Sequence, residues 1–339
     1  MLPPPHVIVQ AEALSLLPSN RILLDRPTSL PSSPSSPSTE IPYEALILAT
    51  GTKLSPPGTM PGLGTKQEGV RYLRGSQVRL REAKRVVIVG GGAVGVQMAC
   101  DLAVLYPFPQ KHITLIQSRH LMPRFHPALH DLVIRRFEEL GIQTVLGTRA
   151  EVPEGGWEGV NESGKGGSVK STDGRTVEAD YVIHALGQTP NSSVLSTLSP
   201  SSILPSGYIR VSPSLLVSPS SASEAAALDG KVFALGDVAD SGAPKAARPA
   251  LEQARIVARN VVKALEGQGV ESFETYTPSP AAIHLTLGIR ESVIFRNPPD
   301  VGGEPTMIWK DDGREDMGIR GVWERRLPGF AKRDKDYHL

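Results

Sequence analysis

The sequence has a single cysteine, almost no net charge and no long apolar run. Because Cys100 is the only cysteine in 339 residues, the chain has no intrachain disulfide and no Cys-x-x-Cys redox pair. A formal net charge of +1 gives no long-range field that would attract nucleic acid or an anionic membrane. No apolar stretch reaches the ~20 residues that a membrane-spanning helix needs. These shortages argue against a disulfide scaffold, a nucleic-acid-binding protein and a transmembrane protein.

The sequence begins without a recognisable targeting segment. Met1-Leu-Pro-Pro-Pro5 has no basic region followed by an apolar stretch, and Leu2 excludes N-myristoylation, which requires glycine there. The eight histidines show no spacing typical of a metal site. We therefore expect a soluble protein of a reducing compartment without a metal. A cytoplasmic location is expected, while a mitochondrial location or association with a membrane surface stays open.

Three stretches have the composition of solvated loops. Residues 27–39 contain ten Pro or Ser in thirteen positions, residues 153–168 are rich in Gly and Glu, and residues 218–227 are almost entirely Ser and Ala. Such segments bury too little apolar surface to offset the entropy lost on ordering them. We expect each of them to be an expanded loop between strands.

Elsewhere, short apolar runs alternate with segments of helical periodicity. The apolar runs predict strands at 6–9, 21–25, 45–49, 86–89, 113–116 and 181–185, and strand-like segments recur at 282–287 and 292–295. The helical spacing predicts helices at 94–105, 127–140 and 249–265. Buried strands that alternate with helices predict an α/β, doubly wound architecture.

A glycine-rich loop joins the strand at 85–89 to the helix that follows it. Its residues, all candidates for binding a pyrophosphate, are Gly90, Gly91, Gly92, Ala93, Val94 and Gly95. In a G-x-G-x-x-G loop the first glycine makes the turn, the second admits the pyrophosphate and the third lets the helix pack closely. The strand before the loop, and the helix and strand after it, are the required context. Residues 85–119 therefore predict a binding unit for NAD(H) or NADP(H).

The end of the second strand of this unit indicates which dinucleotide is preferred. NAD sites usually place Asp or Glu there to bind the ribose 2′-hydroxyl. Here the residues are Gln117, Ser118 and Arg119, and a hydroxyl with a guanidinium suits a 2′-phosphate better. We expect a preference for NADP(H) with use of both nucleotides. The alternative, that Ser118 and Arg119 are only turn residues, stays open.

Four segments of the sequence share a pattern with a known family. They are Tyr43-Glu-Ala-Leu-Ile-Leu-Ala-Thr-Gly51, the loop at 90–95, Tyr181-Val-Ile-His-Ala-Leu-Gly-Gln-Thr-Pro-Asn191 and Lys231-Val-Phe-Ala-Leu-Gly-Asp237, and the run 244–254 is also typical. Because these segments occur in this order across residues 6–295, the chain resembles the FAD-dependent pyridine nucleotide-disulfide oxidoreductases. The missing Cys-x-x-Cys pair points to the branch of apoptosis-inducing factor and ferroptosis suppressor protein.

The resemblance implies two Rossmann-like, doubly wound nucleotide-binding domains. It assigns residues 1–80, with the insert 27–39, to a remnant of the FAD-binding domain and 81–186 to the NAD(P)-binding domain. Residues 187–265 become the second part of the FAD-binding domain, and 266–339 a small C-terminal α+β region. In the family that C-terminal region packs against the flavin domain and often forms a dimer interface, so a homodimer stays open.

The resemblance also implies contacts to FAD. The candidates carried over from the family's motifs are Thr50, Gly51, Gly187, Gly236, Asp237 and Lys245. Asp237 would bind the ribityl chain and Lys245 would stabilise reduced flavin, although Asp237 could be only a turn or helix-capping residue and Lys245 only a solvated loop residue. No nucleophilic side chain is required, the catalytic residues stay unknown, and His184 is interpreted as a packing residue of its strand.

The chain departs from the family pattern at two places. The family's first G-x-G-x-x-G unit, which cradles the FAD pyrophosphate, has no counterpart before residue 90, as if an N-terminal segment were missing. We therefore expect weak or absent FAD binding by this chain alone. Gln97 also replaces a glutamate that lies near the nicotinamide in many relatives. A glutamine can bind the carboxamide there but cannot act as an acid or base.

The implied activity is that of an FAD-dependent NAD(P)H oxidoreductase. Hydride would pass from NAD(P)H to flavin, and electrons would then reach a quinone or another small diffusible acceptor, because the chain has no cysteine pair to accept them. The alternative is a non-catalytic module that binds NAD(P)H or another protein without stable flavin. A flavin-free dehydrogenase has less support, since neither a Tyr-x-x-x-Lys pair nor a zinc-ligand set is evident.

Overall fold

The described chain folds into two compact units. The computed structural model describes residues 6–30, 33–60, 64–300, 302–311, 313, 319–326 and 329. The first unit comprises residues up to 53 together with 188–279, and the second comprises 54–187 together with the described residues from 280 onward. Among the residues that the structure describes, no helix is long and apolar enough to cross a lipid bilayer.

Strands and helices alternate through both units. In chain order the strands are β1 (Ala13–Leu17), β2 (Arg21–Leu30), β3 (Ser33–Pro42), β4 (Leu46–Leu48), β5 (Thr52–Lys53), β6 (Arg85–Val89), β7 (His112–Gln117), β8 (Gln143–Leu146), β9 (Gly167–Lys170), β10 (Thr176–Ala179), β11 (Tyr181–His184), β12 (Thr189–Pro190), β13 (Ile209–Arg210), β14 (Val232–Ala234), β15 (Ala239–Asp240), β16 (Ala282–Thr286), β17 (Glu291–Arg296) and β18 (Thr306–Asp311). The α-helices are α1 (Lys66–Glu82), α2 (Ala93–Leu105), α3 (Pro127–Glu139), α4 (Glu158–Ser163), α5 (Ala222–Leu228), α6 (Ala247–Leu265) and α7 (Ile319–Arg326).

A four-stranded parallel sheet forms the centre of the second unit. Its spatial order is β11-β6-β7-β8, so the first strand in sequence, β6, lies beside the last. Helix α2 connects β6 to β7 and α3 connects β7 to β8, which are the crossovers that parallel neighbours require. The strands added after β6 lie first on one side of it (β7, β8) and then on the other (β11), and this order is that of a Rossmann half. The predicted α/β, Rossmann-like fold is confirmed here.

One continuous core holds the sheet, both helices and the strands β16 and β17 together. Its fully buried side chains include Ile88, Leu115, Leu129, Phe137, Leu285 and Phe295. Each such side chain contributes roughly 1.5–3 kcal/mol by leaving water. The resemblance implied packing of the C-terminal region against the flavin domain. That packing stays a prediction. Within the second unit, Leu285, Val293 and Phe295 are buried against α2, α3 and the parallel sheet, because these alternating apolar positions face that core.

Helix α1 also belongs to the second unit, which moves the boundary predicted at residue 81. Lys111, at 3% exposure, donates from its ammonium to the carbonyl oxygens of Leu80 at 2.8 Å, Arg81 at 3.3 Å and Ala83. A cation bonded to the last carbonyls of a helix satisfies groups that have no partner within the helix. The assignment of residues 1–80 to a remnant of a flavin domain stays a prediction, but residues 54–60 and 64–80 belong to the same unit as the parallel sheet.

Residues 153–168 are not the solvated loop that their composition predicted. Trp157 is 5% exposed and packs with Val89 and Val182 against the sheet. In α4, the Asn161 side chain accepts from the Val182 N–H at 2.8 Å and donates to the Val182 carbonyl at 3.0 Å. Trp157 and Asn161 are enough to hold this segment against the parallel sheet. The average composition of the segment does not show the effect of two single residues.

The other two predicted loops also have regular structure. Residues 27–39 fall largely in β2 and β3, which pair antiparallel, and the strand face stays exposed as a serine-rich segment requires. Residues 218–227 include most of α5, where the Glu224 carboxylate accepts from the Ser199 and Ser201 hydroxyls, both at 2.8 Å. The strand predicted at 6–9 is absent from the structure, and the first strand is β1, four residues later.

The first unit contains several small sheets. Strands β1, β2 and β3 form an antiparallel sheet, while β4 and β14 form a parallel pair. Among the described residues, β4 pairs with β14 alone and β13 pairs in parallel with β15 alone, so the parallel part of this unit consists of two separate two-stranded pairs. The buried core beside these strands includes Leu16, Leu195, Ile209 and Val238.

Asp101, on α2, is half-buried, and its Oδ1 atom is buried without a hydrogen-bond partner. Burial raises the pKa of Asp101 to about 6 from 3.8. The Asp101 carboxyl holds its proton more tightly in the folded state than in the unfolded state. The free energy of unfolding therefore falls as pH rises from about 4 to about 6, and the lost stability is not regained above that range.

Asp101→Asn should therefore raise the thermal unfolding midpoint more at pH 7.5 than at pH 4.5. The exposed Asp131 on α3 offers a control, since Asp131→Asn removes a solvated charge and should produce no pH-dependent gain. Equal effects of Asp101→Asn at the two pH values would contradict this account.

Candidate functional site

Two glycines of the 90–95 loop are required by the protein's own packing. Gly90 has φ +118°, and a Cβ there would collide with the carbonyl oxygen of Ala185. A Cβ at Gly95 would collide with the Gly90 carbonyl oxygen. The first turn of α2 therefore lies directly against the end of β6, as the third glycine of the motif was predicted to permit.

Gly92 has a different environment from these two glycines. It is the N-cap residue of α2, and a Cβ there would meet no protein atom within 4 Å. The unsatisfied N–H groups and positive dipole end of a helix N-terminus bind phosphate. A glycine with open space above it, at the start of such a helix, fits a pyrophosphate that approaches the backbone. The residues present therefore fit a dinucleotide.

Gln117 is bonded to the glycine loop. Its Oε1 accepts from the Gly91 N–H at 2.9 Å, and the Met122 N–H donates to the Gly91 carbonyl at 2.8 Å. The side chain of Gln117 and the chain that follows it are thus positioned by the loop. Ser118 is half-buried and Arg119 is exposed, and no described carboxylate forms an ion pair with Arg119. This places an available guanidinium beyond the end of β7.

Gln97 lies one turn into α2 and contacts the C-terminal sheet. Its Nε2 donates to the Thr286 hydroxyl at 3.0 Å, which leaves its Oε1 free to accept a hydrogen bond. This contact joins residues 189 positions apart, so no local pattern could have indicated it.

Gly187 follows β11 with φ +38°, and a Cβ there would meet no protein atom within 4 Å. A side chain at this position would therefore be strained by the backbone conformation but not crowded by neighbours.

Two side chains of this unit that can be reactive in other proteins, those of Cys100 and His184, are packing residues here. Cys100 is fully buried in α2, and burial raises the pKa of its thiol to about 12, which keeps the sulfur unreactive. His184 stacks edge to face on Trp157 with ring centroids 5.3 Å apart, and burial lowers its pKa. Both observations fit the predicted packing roles.

In the first unit, Thr50 and Gly51 are joined to a later segment. The Thr50 hydroxyl donates to the Asn191 carbonyl at 2.6 Å, and the Asn191 amide donates back to the Thr50 carbonyl at 2.9 Å. Gly51 has φ +64°, and its carbonyl accepts from the Asn191 N–H at 3.0 Å. These bonds hold the point at which β5 and β12 begin their short antiparallel pairing.

Gly236 and Asp237 lie in a 3-10 turn directly after β14. Gly236 has φ +70°, and its N–H donates to Gln253, which is 1% exposed and itself donates to Ser241 at 2.8 Å. Asp237 is half-buried, and among the described residues no side chain is paired with its carboxylate. A fixed backbone with an unpaired carboxylate is suited to accept hydrogen bonds from a hydroxylated ligand.

Lys245 is not a solvated loop residue. Its ammonium donates to the Ala239 carbonyl and lies 4.4 Å from the centroid of the Tyr208 ring. A carbonyl and an aromatic face together hold the cation. The structure therefore positions Lys245 within the first unit, and its contact with flavin stays a prediction.

The described residues fit FAD only in part. Asp237 and the turn at Gly236 offer a contact for a polyol chain. However, the sequence holds a single G-x-G-x-x-G loop, and that loop belongs to the second unit. Among the described residues there is also no group of three or more potential metal ligands.

The sheet order and the glycine loop at the start of α2 define a dinucleotide-binding α/β protein. Residues 7–254 match the pyridine nucleotide-disulphide oxidoreductase family. The chain belongs to this family, whose members use FAD and NAD(P)H. The predicted family resemblance is thereby confirmed.

Two relatives indicate the branch. The chain is 37% identical over 266 residues to Fe-regulated protein 8 of Mycosarcoma maydis, covering 78% of this chain and 60% of that protein. It is 27% identical over 259 residues to ferroptosis suppressor protein 1 of Homo sapiens, covering 75% of this chain and 64% of the human protein. The chain thus spans less than two thirds of the length of these relatives.

Solved structures support the fold. An NAD-dependent persulfide reductase from A. fulgidus aligns over 85% of this chain and 49% of its own length, with a TM-score of 0.56 and 18% identity. A water-forming NADH oxidase from Lactobacillus brevis, bound to NADH, aligns over 84% of this chain and 58% of its own, with a TM-score of 0.55 and 19% identity.

Gly92→Ala should affect dinucleotide binding, whereas Gly95→Ala should affect the stability of the fold. The methyl of Gly92→Ala enters open space, so the unfolding midpoint should stay near wild type. The Kd for both NADH and NADPH should rise about tenfold or more, a loss of about 1.4 kcal/mol. Gly95→Ala forces a methyl into a carbonyl oxygen and should lower the unfolding midpoint. Calorimetric titration and thermal melts test both, and unchanged binding in Gly92→Ala would refute the site.

The Arg119→Glu change tests the nucleotide preference. A carboxylate in place of the guanidinium repels a 2′-phosphate, so the Kd for NADPH should rise more than the Kd for NADH. The two constants can be measured on the same preparation by titration calorimetry. Equal effects on both would remove the predicted preference for NADP(H).

Proposed function

We propose that this protein is an NAD(P)H-dependent oxidoreductase of the flavin-linked type, which passes electrons from NAD(P)H through FAD to a small quinone-like acceptor. The observation that carries the proposal is the open Gly92 at the N-terminus of α2, within a complete Rossmann half. Membership of the family supports the redox chemistry. A cytoplasmic location and a homodimer are parts of the proposal that come from the sequence alone.

The residues of the second unit bind and orient the dinucleotide. The backbone N–H groups at the start of α2 hold the pyrophosphate, and Gln117 keeps the loop in its binding conformation through Gly91. When bound, NAD(P)H supplies a hydride from its nicotinamide ring. Gln97, whose Nε2 is engaged by Thr286, would bind the nicotinamide carboxamide through its Oε1, and as an amide it takes no part in proton transfer.

The acceptor is a diffusible molecule. The only cysteine is buried with a raised pKa, so no disulfide within the chain can take up electrons. A quinone can accept two electrons and two protons without covalent attachment to the protein. We therefore propose a quinone-like acceptor that reacts with the reduced protein and leaves.

A second candidate is a module that binds NAD(P)H without stable flavin. It is favoured by the single G-x-G-x-x-G loop of the chain and by the first unit, whose parallel strands among the described residues form only two separate two-stranded pairs. On the same grounds we propose that this chain alone binds FAD weakly or not at all. Stoichiometric flavin in the purified protein, read from its absorbance bands, would contradict that part.

Oxidation of NADPH in the presence of a soluble quinone distinguishes the two candidates. The oxidoreductase proposal expects NADPH consumption that rises when FAD is added, and that falls in Gly92→Ala at subsaturating NADPH. The binding-module candidate expects NADPH binding by calorimetry with no consumption at any FAD concentration. Absence of both binding and consumption would overturn each of them.

A further inference from the structure

The loop that follows β7 lies where a Rossmann half contacts the 2′ position of its nucleotide. In a Rossmann half, the residues after the second strand contact the adenine ribose at its 2′ position. Here that loop runs from residue 118 to 126 and includes Ser118 and Arg119. Its conformation therefore determines where the Arg119 guanidinium can lie.

The 118–126 loop is held near its middle by the dinucleotide unit itself. The Met122 N–H donates to the Gly91 carbonyl at 2.8 Å, and Met122 adopts φ +52°, which is unusual for a side chain of this size. The Leu121 N–H donates to Nδ1 of His130 on α3 at 3.1 Å. These bonds leave the last part of the loop, residues 123–126, to be fixed by other contacts.

The last part of the loop is fixed by the end of β17. The Asn297 Oδ1 accepts from the His126 N–H at 2.9 Å, and the Asn297 Nδ2 donates to the Arg124 carbonyl at 3.2 Å. Phe295, fully buried in β17, contacts Phe125 edge to face with ring centroids 6.0 Å apart. Asn297 is itself held by a bond from its N–H to the Ala281 carbonyl at 2.8 Å.

The β16–β17 hairpin is anchored independently of these contacts. Arg136 on α3 donates from Nε to the Leu287 carbonyl at 2.9 Å and pairs with Glu291, so the turn between the two strands is fixed to α3. Gln97 bonds to Thr286 at the end of β16. Asn297 thus projects from a rigid element and meets the loop with two hydrogen bonds in defined directions.

We propose that Asn297 is a positioning residue for nucleotide selection, which sets the 118–126 loop so that Arg119 meets the 2′-phosphate of NADP(H). This inference rests on the proposed dinucleotide site and extends it to a residue about 180 positions away. Asn297 touches no nucleotide. It acts through the backbone of residues 124 and 126, because an asparagine can donate to one peptide group and accept from another at once.

The test compares Asn297→Ala with Thr306→Ala, an exposed residue of the neighbouring strand β18. Dissociation constants for NADPH and NADH are measured by titration calorimetry on folded protein, with thermal melts to confirm the fold. Asn297→Ala should raise the Kd for NADPH about five- to tenfold and change that for NADH less than about twofold. Thr306→Ala should change neither. Equal changes for both nucleotides, or no change, would overturn the proposal.

A double-mutant cycle with Arg119→Ala tests the route of the effect. If Asn297 acts by placing the Arg119 guanidinium, adding Asn297→Ala to Arg119→Ala should cause no further loss of NADPH affinity. Full additivity of the two losses would overturn the proposal. Failure of the wild-type protein to bind either nucleotide would instead refute the proposed dinucleotide site, before any variant is considered.

Discussion

The contact between the first turn of α2 and the Gly90 carbonyl determines the geometry of the second unit. No side chain fits between the Gly95 Cα and that oxygen, so the helix begins at the very end of β6. Its free N–H groups then lie at the carboxyl edge of the parallel sheet, where a phosphate can reach them. The bonds from Gly91 to Gln117 and Met122 depend on this placement, and so does the loop that follows β7.

The hairpin β16–β17 completes that unit, although it lies more than a hundred residues further along the chain. It shares one buried core with α2 and α3, and it bonds to side chains or backbone of both helices and of the loop at 118–126. A Rossmann half usually relies on its own sheet and helices to shape its loops. Here a later segment supplies part of that rigidity, which makes residues of the hairpin relevant to nucleotide binding.

Local patterns were sufficient to predict the glycine loop, the crossovers α2 and α3, and the parallel strands β6, β7 and β11, because buried strands and amphipathic helices repeat with fixed periods. They were insufficient where one residue decides the outcome. Trp157 docks a glycine-rich segment, and Glu224 orders a serine-rich one, yet averaged composition assigns both to solvent. Contacts such as Gln97 with Thr286 and Asn297 with His126 depend on tertiary structure, which no spacing along the chain encodes.

Asn161 occupies the place of a neighbouring strand. Its amide pairs with both backbone groups of Val182 on the side of β11 that faces away from β6, as a peptide unit of another strand would. Open sheet edges recruit strands from other molecules, and many proteins cover them for that reason. The glycine-rich segment that carries Asn161 therefore covers backbone groups at the edge of this sheet, and a shortened segment would leave the Val182 N–H and carbonyl open to pairing with another strand.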